Sequence, residues 1–217
     1  MKIKTSLSAV TVAASAVLLA GCVTPPASTP TSTTTTTTVP GHTIDQQLPA
    51  GTVSATLDVA RCPSSSTTEY QAAQTFTAGR TGTLDQVSVA LRRSSSASWA
   101  PVAVRIETVG ADGKPTGTAL GTGDYDGPGV TSSGVVDLPL DSPAAVTAGT
   151  KYALVLSESS CATPAPANGW VVDGMMGATD NYAGGQAWLR TIPSTSGWRP
   201  GVGAGTYLDL FFATWVR

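Results

Sequence analysis

The chain has 217 residues, with 12 Lys and Arg against 14 Asp and Glu, and a formal net charge of −2. Its few cations are scattered, which excludes the basic footprint that nucleic-acid binding requires. Charged residues make up only 12% of the sequence while Gly numbers 23 and Pro 15, so turns and short extended segments are expected to dominate.

Lys2 and Lys4 precede an apolar run over residues 7–20. A membrane span needs roughly 20 apolar residues, so this run is too short, and Pro25-Pro26 stops its extension. It ends in Leu19-Ala20-Gly21-Cys22. That tetrad resembles the lipobox of bacterial lipoproteins, in which the peptide is cut before the Cys and the Cys is acylated. The resemblance implies a signal peptide over residues 1–21, a lipid on Cys22, and a protein exported and anchored to a bacterial membrane, facing the exterior or the periplasm. Ordinary secretory cleavage, with Cys22 left as a plain thiol, is the alternative. Each buried lipid CH₂ contributes about 0.8 kcal/mol, so several acyl chains would hold the protein firmly at the membrane surface.

Residues 22–47 are Thr, Ser and Pro with almost no large apolar side chain, including the run Thr33 to Thr38. Such a stretch buries too little surface to offset its ordering entropy, and it reads as an exposed tether. About 20 residues of loose coil average roughly 25 Å end to end. Residues 48–217 are then the size of one domain. Export makes Cys62 and Cys161 an even pair in a disulfide-permissive compartment, and they read as a bridge. Two free thiols, or half of a metal site, are the alternatives, but no histidine lies near either Cys in sequence.

Within the domain, residues 52–60 alternate Val53, Ala55, Leu57 and Val59 against polar neighbours, the period of a half-buried strand. Residues 70–77 and 84–91 read as the next two strands. Val102, Val104 and Ile106 form the cleanest alternation in the chain, and Gly110-Ala111-Asp112-Gly113 supplies a turn. Further strands are expected over residues 116–123, 135–140, 151–157, 169–173, 186–191 and 206–216. The last carries apolar residues on both faces, which suggests a central position. Roughly nine to eleven strands with no helical period predict an all-β antiparallel two-sheet β-sandwich of jelly-roll type.

The order Ala73-Gln74-Thr75-Phe76-Thr77-Ala78-Gly79, Gly82-Thr83-Leu84-Asp85-Gln86-Val87, Pro115-Thr116-Gly117, Val146 to Leu156, Tyr182-Ala183-Gly184-Gly185 and Asp209 to Val216 resembles a jelly-roll domain recurrent in bacterial surface proteins beside varied anchors. Such domains are similar to carbohydrate-binding modules. The resemblance covers residues 73–217 and implies a fold more than an activity. It also implies that a structural calcium sometimes accompanies the domain.

The single histidine, His42, falls in the tether, which leaves a Ser-His-Asp or Cys-His design without a base in the domain. A glycosidase needs two flanking carboxylates, and nothing singles out a pair. Asp124 and Asp126 flank a turn as a calcium-loop fragment does, but lack the third acid and the distal Glu. A turn with solvated carboxylates is the competing reading. Trp99, Tyr125, Tyr182, Trp188 and Trp198 lie in or beside loops, where a flat ring with a polar edge suits stacking on a sugar. Core packing is the commoner role of such rings. Trp99 and Trp198 form the preferred pair, because small and flexible neighbours would leave their rings partly open.

The expected function is therefore non-catalytic: membrane-anchored display of a domain that binds glycan or another envelope polymer, with no cofactor beyond the calcium just weighed. A structural envelope protein without a small ligand is the alternative, and a glycosidase-like enzyme the third. The anchor carries its own prediction. Cys22→Ala is expected to move the protein from the membrane fraction to the soluble one, and continued membrane retention would remove the lipid from the account.

Overall fold

Alternating strands close a core only where each apolar set meets its neighbour's on the same face. The computed structural model describes residues 41–59, 69–93, 101–126, 134–158, 169–193, 197–203 and 205–217, and among them it contains β-strands and no helix. The strands are β1 (Thr43–Leu48), β2 (Ala55–Val59), β3 (Glu69–Thr77), β4 (Gly82–Arg93), β5 (Val102–Val109), β6 (Pro115–Tyr125), β7 (Gly134–Val146), β8 (Lys151–Glu158), β9 (Trp170–Gly177), β10 (Ala187–Ile192), β11 (Arg199–Pro200), β12 (Tyr207–Leu210) and β13 (Phe212–Val216).

All pairings are antiparallel, and the main path runs β1-β13-β4-β7-β6-β5-β8-β3-β10-β11. Off that path, β9 pairs with β2, β4 and β12. The sheet curls so that distant strands on the path face each other across one apolar cluster. Phe76 of β3 lies 6.3 Å from Phe212 of β13, ring to ring. Leu84, Leu91, Ile106, Leu138, Leu154 and Leu210 are fully buried in the same cluster. Each such side chain stabilises the fold by about 1.5–3 kcal/mol relative to its exposed state.

Halfway along the path the curl passes through β7. Its residues Pro139 and Ala144 sit opposite Gln86 and Leu84 of β4, and the excursion between them carries Ser142 to Thr122 of β6. Close approach there needs small residues. A Cβ at Gly123 would lie 2.6 Å from the Pro139 carbonyl oxygen, so the glycine lets the two backbones meet.

The C-terminal chain is broken where a single strand over residues 206–216 was expected. β12 pairs with β9 up to Leu210, opposite Gly174. Phe211 then donates its amide to the Asp173 carbonyl and accepts from the Ala90 amide, and β13 continues between β4 and β1. The interior position suggested by apolar residues on both faces is therefore found for β13. At the other end, β1 occupies residues assigned to the tether. Thr43–Leu48 has two large apolar residues and little strand propensity of its own; pairing with β13 supplies its order. Cys22, Cys62, Cys161 and Trp99 lie outside the described residues, and so does the expected bridge.

One buried polar link ties β3 to the break. Gln74 is fully buried; its Nε2 donates to Asp209 Oδ1 at 3.0 Å and to the Thr75 carbonyl, while its Oε1 accepts the Leu210 amide at 2.8 Å. Burial pushes the Asp209 carboxyl up to about 6, against the opposing pull of the Gln74 hydrogen bond, with Asp180 adding a smaller upward push. Burial, and then the neighbouring Glu69, raise Glu158 to about 7.

Both folded values lie above the unfolded ones, so the folded state holds extra protons. The part of the stability that these two groups govern is fully present below the unfolded carboxyl range and is lost as pH rises through these values. For Asp209, 1% exposed, the effect is on the order of 3 kcal/mol between pH 4 and neutrality. Asp209→Asn is expected to flatten the decline in melting temperature between about pH 4 and 6, leaving the Glu158 portion up to about 7. Parallel wild-type and variant curves would contradict this.

Candidate functional site

The alternation that turns Val87, Val89, Leu138 and Phe212 into the core turns Ser88, Ala90, Asp137, Ala213 and Trp215 to the opposite face. On that face the register lines up one row across four strands: Gln47 of β1 opposite Ala213 of β13, Ala213 opposite Ser88 of β4, and Ser88 opposite Asp137 of β7. At the usual strand spacing the row spans roughly 14 Å. Its ends are polar and its middle is small.

Apolar residues flank the row on both sides. Ile44 pairs across from Trp215 on one side; Ala90, Val135 and Phe211 lie on the other. The result is a groove of about 260 Å³, open to solvent, with Leu48 at the end of β1 and Pro49 and Ala50 beyond it continuing its wall. Val135 is 59% exposed and Ile44 38%. Scattered apolar residues on a surface carry no message; here they gather around one aromatic ring in a single groove.

The Trp215 ring is fixed from two directions. Its Nε1 donates to Ser88 Oγ at 2.8 Å, and the Ser88 hydroxyl donates onward to Asp137 Oδ1 at 2.6 Å. His42 lies against it, with ring centroids 5.1 Å apart and planes tilted by 36°. His42 Nε2 lies 2.8 Å from Asp85 Oδ1, and Arg217 Nε lies 2.9 Å from Asp85 Oδ2. The histidine assigned to the tether thus belongs to the folded domain, where its ring and its Nε2 are both engaged.

The aromatic residues expected to bind are placed as follows. Trp188 and Trp198 come together in a small separate cluster with Ala73, Ala153 and Val155, both rings 6% exposed. The Arg190 guanidinium lies 4.7 Å from the Trp198 ring and is held there by Gln71 Oε1; the Lys114 ammonium lies 6.0 Å from Trp188. These rings are covered, unlike the partly open ring expected for Trp198. Tyr182 packs edge-on against Phe212 at 5.0 Å and donates its hydroxyl to Gln46 Oε1. Burial pushes its phenol up to about 12. Tyr125 meets Trp170 edge-on at 5.7 Å.

Asp124 and Asp126 gather no metal shell: among the described residues no three His, Cys, Asp or Glu side chains converge. Asp124 instead lines a shallow depression with Asp141, Arg105 and Glu158, and its amide donates to Asp141 Oδ2 at 3.4 Å.

Trp215, Ser88, Asp137, Gln47 and His42 were not among the expected site residues. The signal in the sequence was the apolar character of both faces of the last strand, which reads equally well as a second buried layer. No protein-family model matches the chain, and no curated protein matches it in sequence.

Ser88→Ala removes the acceptor of the Trp215 indole and the donor to Asp137 together. It is expected to cost about 1 kcal/mol in denaturant unfolding and to shift Trp215 emission, isolated as the difference from Trp215→Phe, toward longer wavelength. Unchanged emission would mean that the hydroxyl does not fix the ring.

Proposed function

We propose that this chain is an exported protein, anchored at a bacterial membrane through a lipid on Cys22, whose folded domain binds a glycan or a related envelope polymer without transforming it. The groove around Trp215 is the observation that carries this reading. It offers one immobilised ring for the C–H face of a sugar, a floor small enough for close approach, and hydrogen-bonding groups at both ends. In architecture we read the domain as a two-sheet jelly roll. Two observations support that: among the described residues the one bridge between β6 and β7 is Thr122 to Ser142, and the larger apolar cluster takes side chains from strands on both sides of that junction.

A preformed groove has an energetic advantage over loose loops. Trp215 is already oriented by Ser88 and His42, so binding need not order the ring, and little side-chain entropy is lost. The structural reading, without a small ligand, gives no role to the gathering of Val135 and Ile44 about the Trp215 ring. The glycosidase reading has one observation in its favour, a Glu158 carboxyl raised to about 7 beside Asp124 and Asp141, as a general acid would be.

The test is a glycan array probed with the full chain, followed by tryptophan-emission titrations on the ligands retained. Binding that is lost in Trp215→Ala, with the far-ultraviolet spectrum preserved, is expected. Silence across the array would return the domain to the structural reading, and release of reducing ends that disappears in Glu158→Gln would support the glycosidase.

A further inference from the structure

The groove is asymmetric in charge. Among the described residues Asp137 is the only acidic or basic side chain lining it; the rest of that lining is apolar or neutral, with Gln47 and Ser88 the other polar side chains. The cations nearest in register are engaged elsewhere. Arg217 reaches Asp85 at 2.9 Å, and Arg92, two residues beyond Ala90 on β4, reaches Asp173 at 3.5 Å. His42, which touches the Trp215 ring but does not line the groove, has its Nε2 at Asp85.

Asp137 is itself exposed at the rim. Its Oδ1 accepts the Ser88 hydroxyl at 2.6 Å, and among the described residues Oδ2 has no hydrogen bond. A carboxylate at the edge of an apolar trough projects its field along the trough, because the low-dielectric walls screen it less than open water does.

We infer that the groove selects by charge, taking a neutral or amino-bearing sugar and rejecting an acidic one, with Asp137 as the residue that decides. This rests on the reading of the groove as a sugar site. An amino sugar fits its parts: the apolar face of the ring lies on Trp215, an ammonium or amide N–H reaches Asp137 Oδ2, and an N-acetyl methyl group, where present, sits over Ala90 and Val135. A uronic acid in the same position sets carboxylate against carboxylate with no cation between them, a repulsion that discriminates through the disfavoured partner.

The experiment compares three oligosaccharide sets of matched length on the full chain: de-acetylated glucosamine oligomers, their N-acetylated neutral counterparts, and galacturonate oligomers, read by tryptophan emission. The expected affinities fall in that order, with the acidic set at least tenfold weaker than the neutral one. Raising the salt concentration from low to molar is expected to compress the differences in the unaltered protein, and Asp137→Asn, which keeps an acceptor for Ser88, is expected to bring the acidic set close to the neutral one. Acidic and neutral oligomers binding within twofold of each other in low salt would overturn the charge selection while leaving the groove a sugar site. Failure of all three sets to bind would take both readings down together.

Discussion

The amide of Gln74 is the interaction on which the rest of the structure turns. It sits in an apolar interior where an unsatisfied amide would cost about 1–3 kcal/mol, and it meets its needs by reaching from β3 to the opposite side of the curl. There it donates to Asp209 and accepts from the Leu210 amide. Those two residues are the last of β12, so one side chain fixes the position at which the C-terminal chain leaves β9. A hydrophobic residue of similar size would fill the space but would not specify register, because apolar contacts tolerate sliding and a directional hydrogen bond does not.

That register has consequences on the far surface. Side chains alternate along a strand, so the place where β13 begins decides which residues point outward. With Phe212 opposite Val89, Ala213 and Trp215 face out, and small residues from β13 and β4 meet in the floor of the groove. A slip by one residue would turn Phe212 and Thr214 outward and bury Trp215. Gly174 serves the same junction, since a Cβ there would overlap the Asp209 carbonyl oxygen. The buried Asp209 carboxyl, raised to about 6 by its surroundings, is the cost of placing a polar anchor at this point.

Much of the fold is legible in the sequence. Val102, Val104 and Ile106 alternate as a strand should, and β5 lies where they do. The long β7 was half legible: Val136, Leu138 and Leu140 announce its first part, but the excursion through Asp141, Ser142 and Pro143 to β6 has no periodic signature, being set by the curl. β1 was not legible, since Thr43–Leu48 is polar and gains its order from a partner more than 160 residues away in sequence. The site was harder still. Loop position drew attention to Trp188 and Trp198, yet Arg190 and Lys114 cover those rings. Trp215, on a strand, looked like core. A sequence shows that a strand is apolar on both faces, and only the order of neighbours shows which of those faces another layer covers.

The two ends of the described fold meet at Asp85, next to the Trp215 ring. His42, at the chain's entry, and Arg217, at its last residue, approach the two oxygens of Asp85 at 2.8 and 2.9 Å, and the Arg217 backbone exchanges two hydrogen bonds with Thr83. Asp85 sits at the bulge in β4 opposite β7, where a distorted ladder leaves a side chain free to reach past its own strand. The chain that follows His42 becomes β1, and it supplies Ile44, Gln47, Leu48, Pro49 and Ala50 to the wall. A domain boundary drawn after β1 would therefore remove Ile44 and Leu48 from the wall of the groove, one end of its polar row and the histidine that touches its only open tryptophan among the described residues. The first described strand is therefore part of the site, and the groove draws its wall from β1 and its aromatic ring from β13.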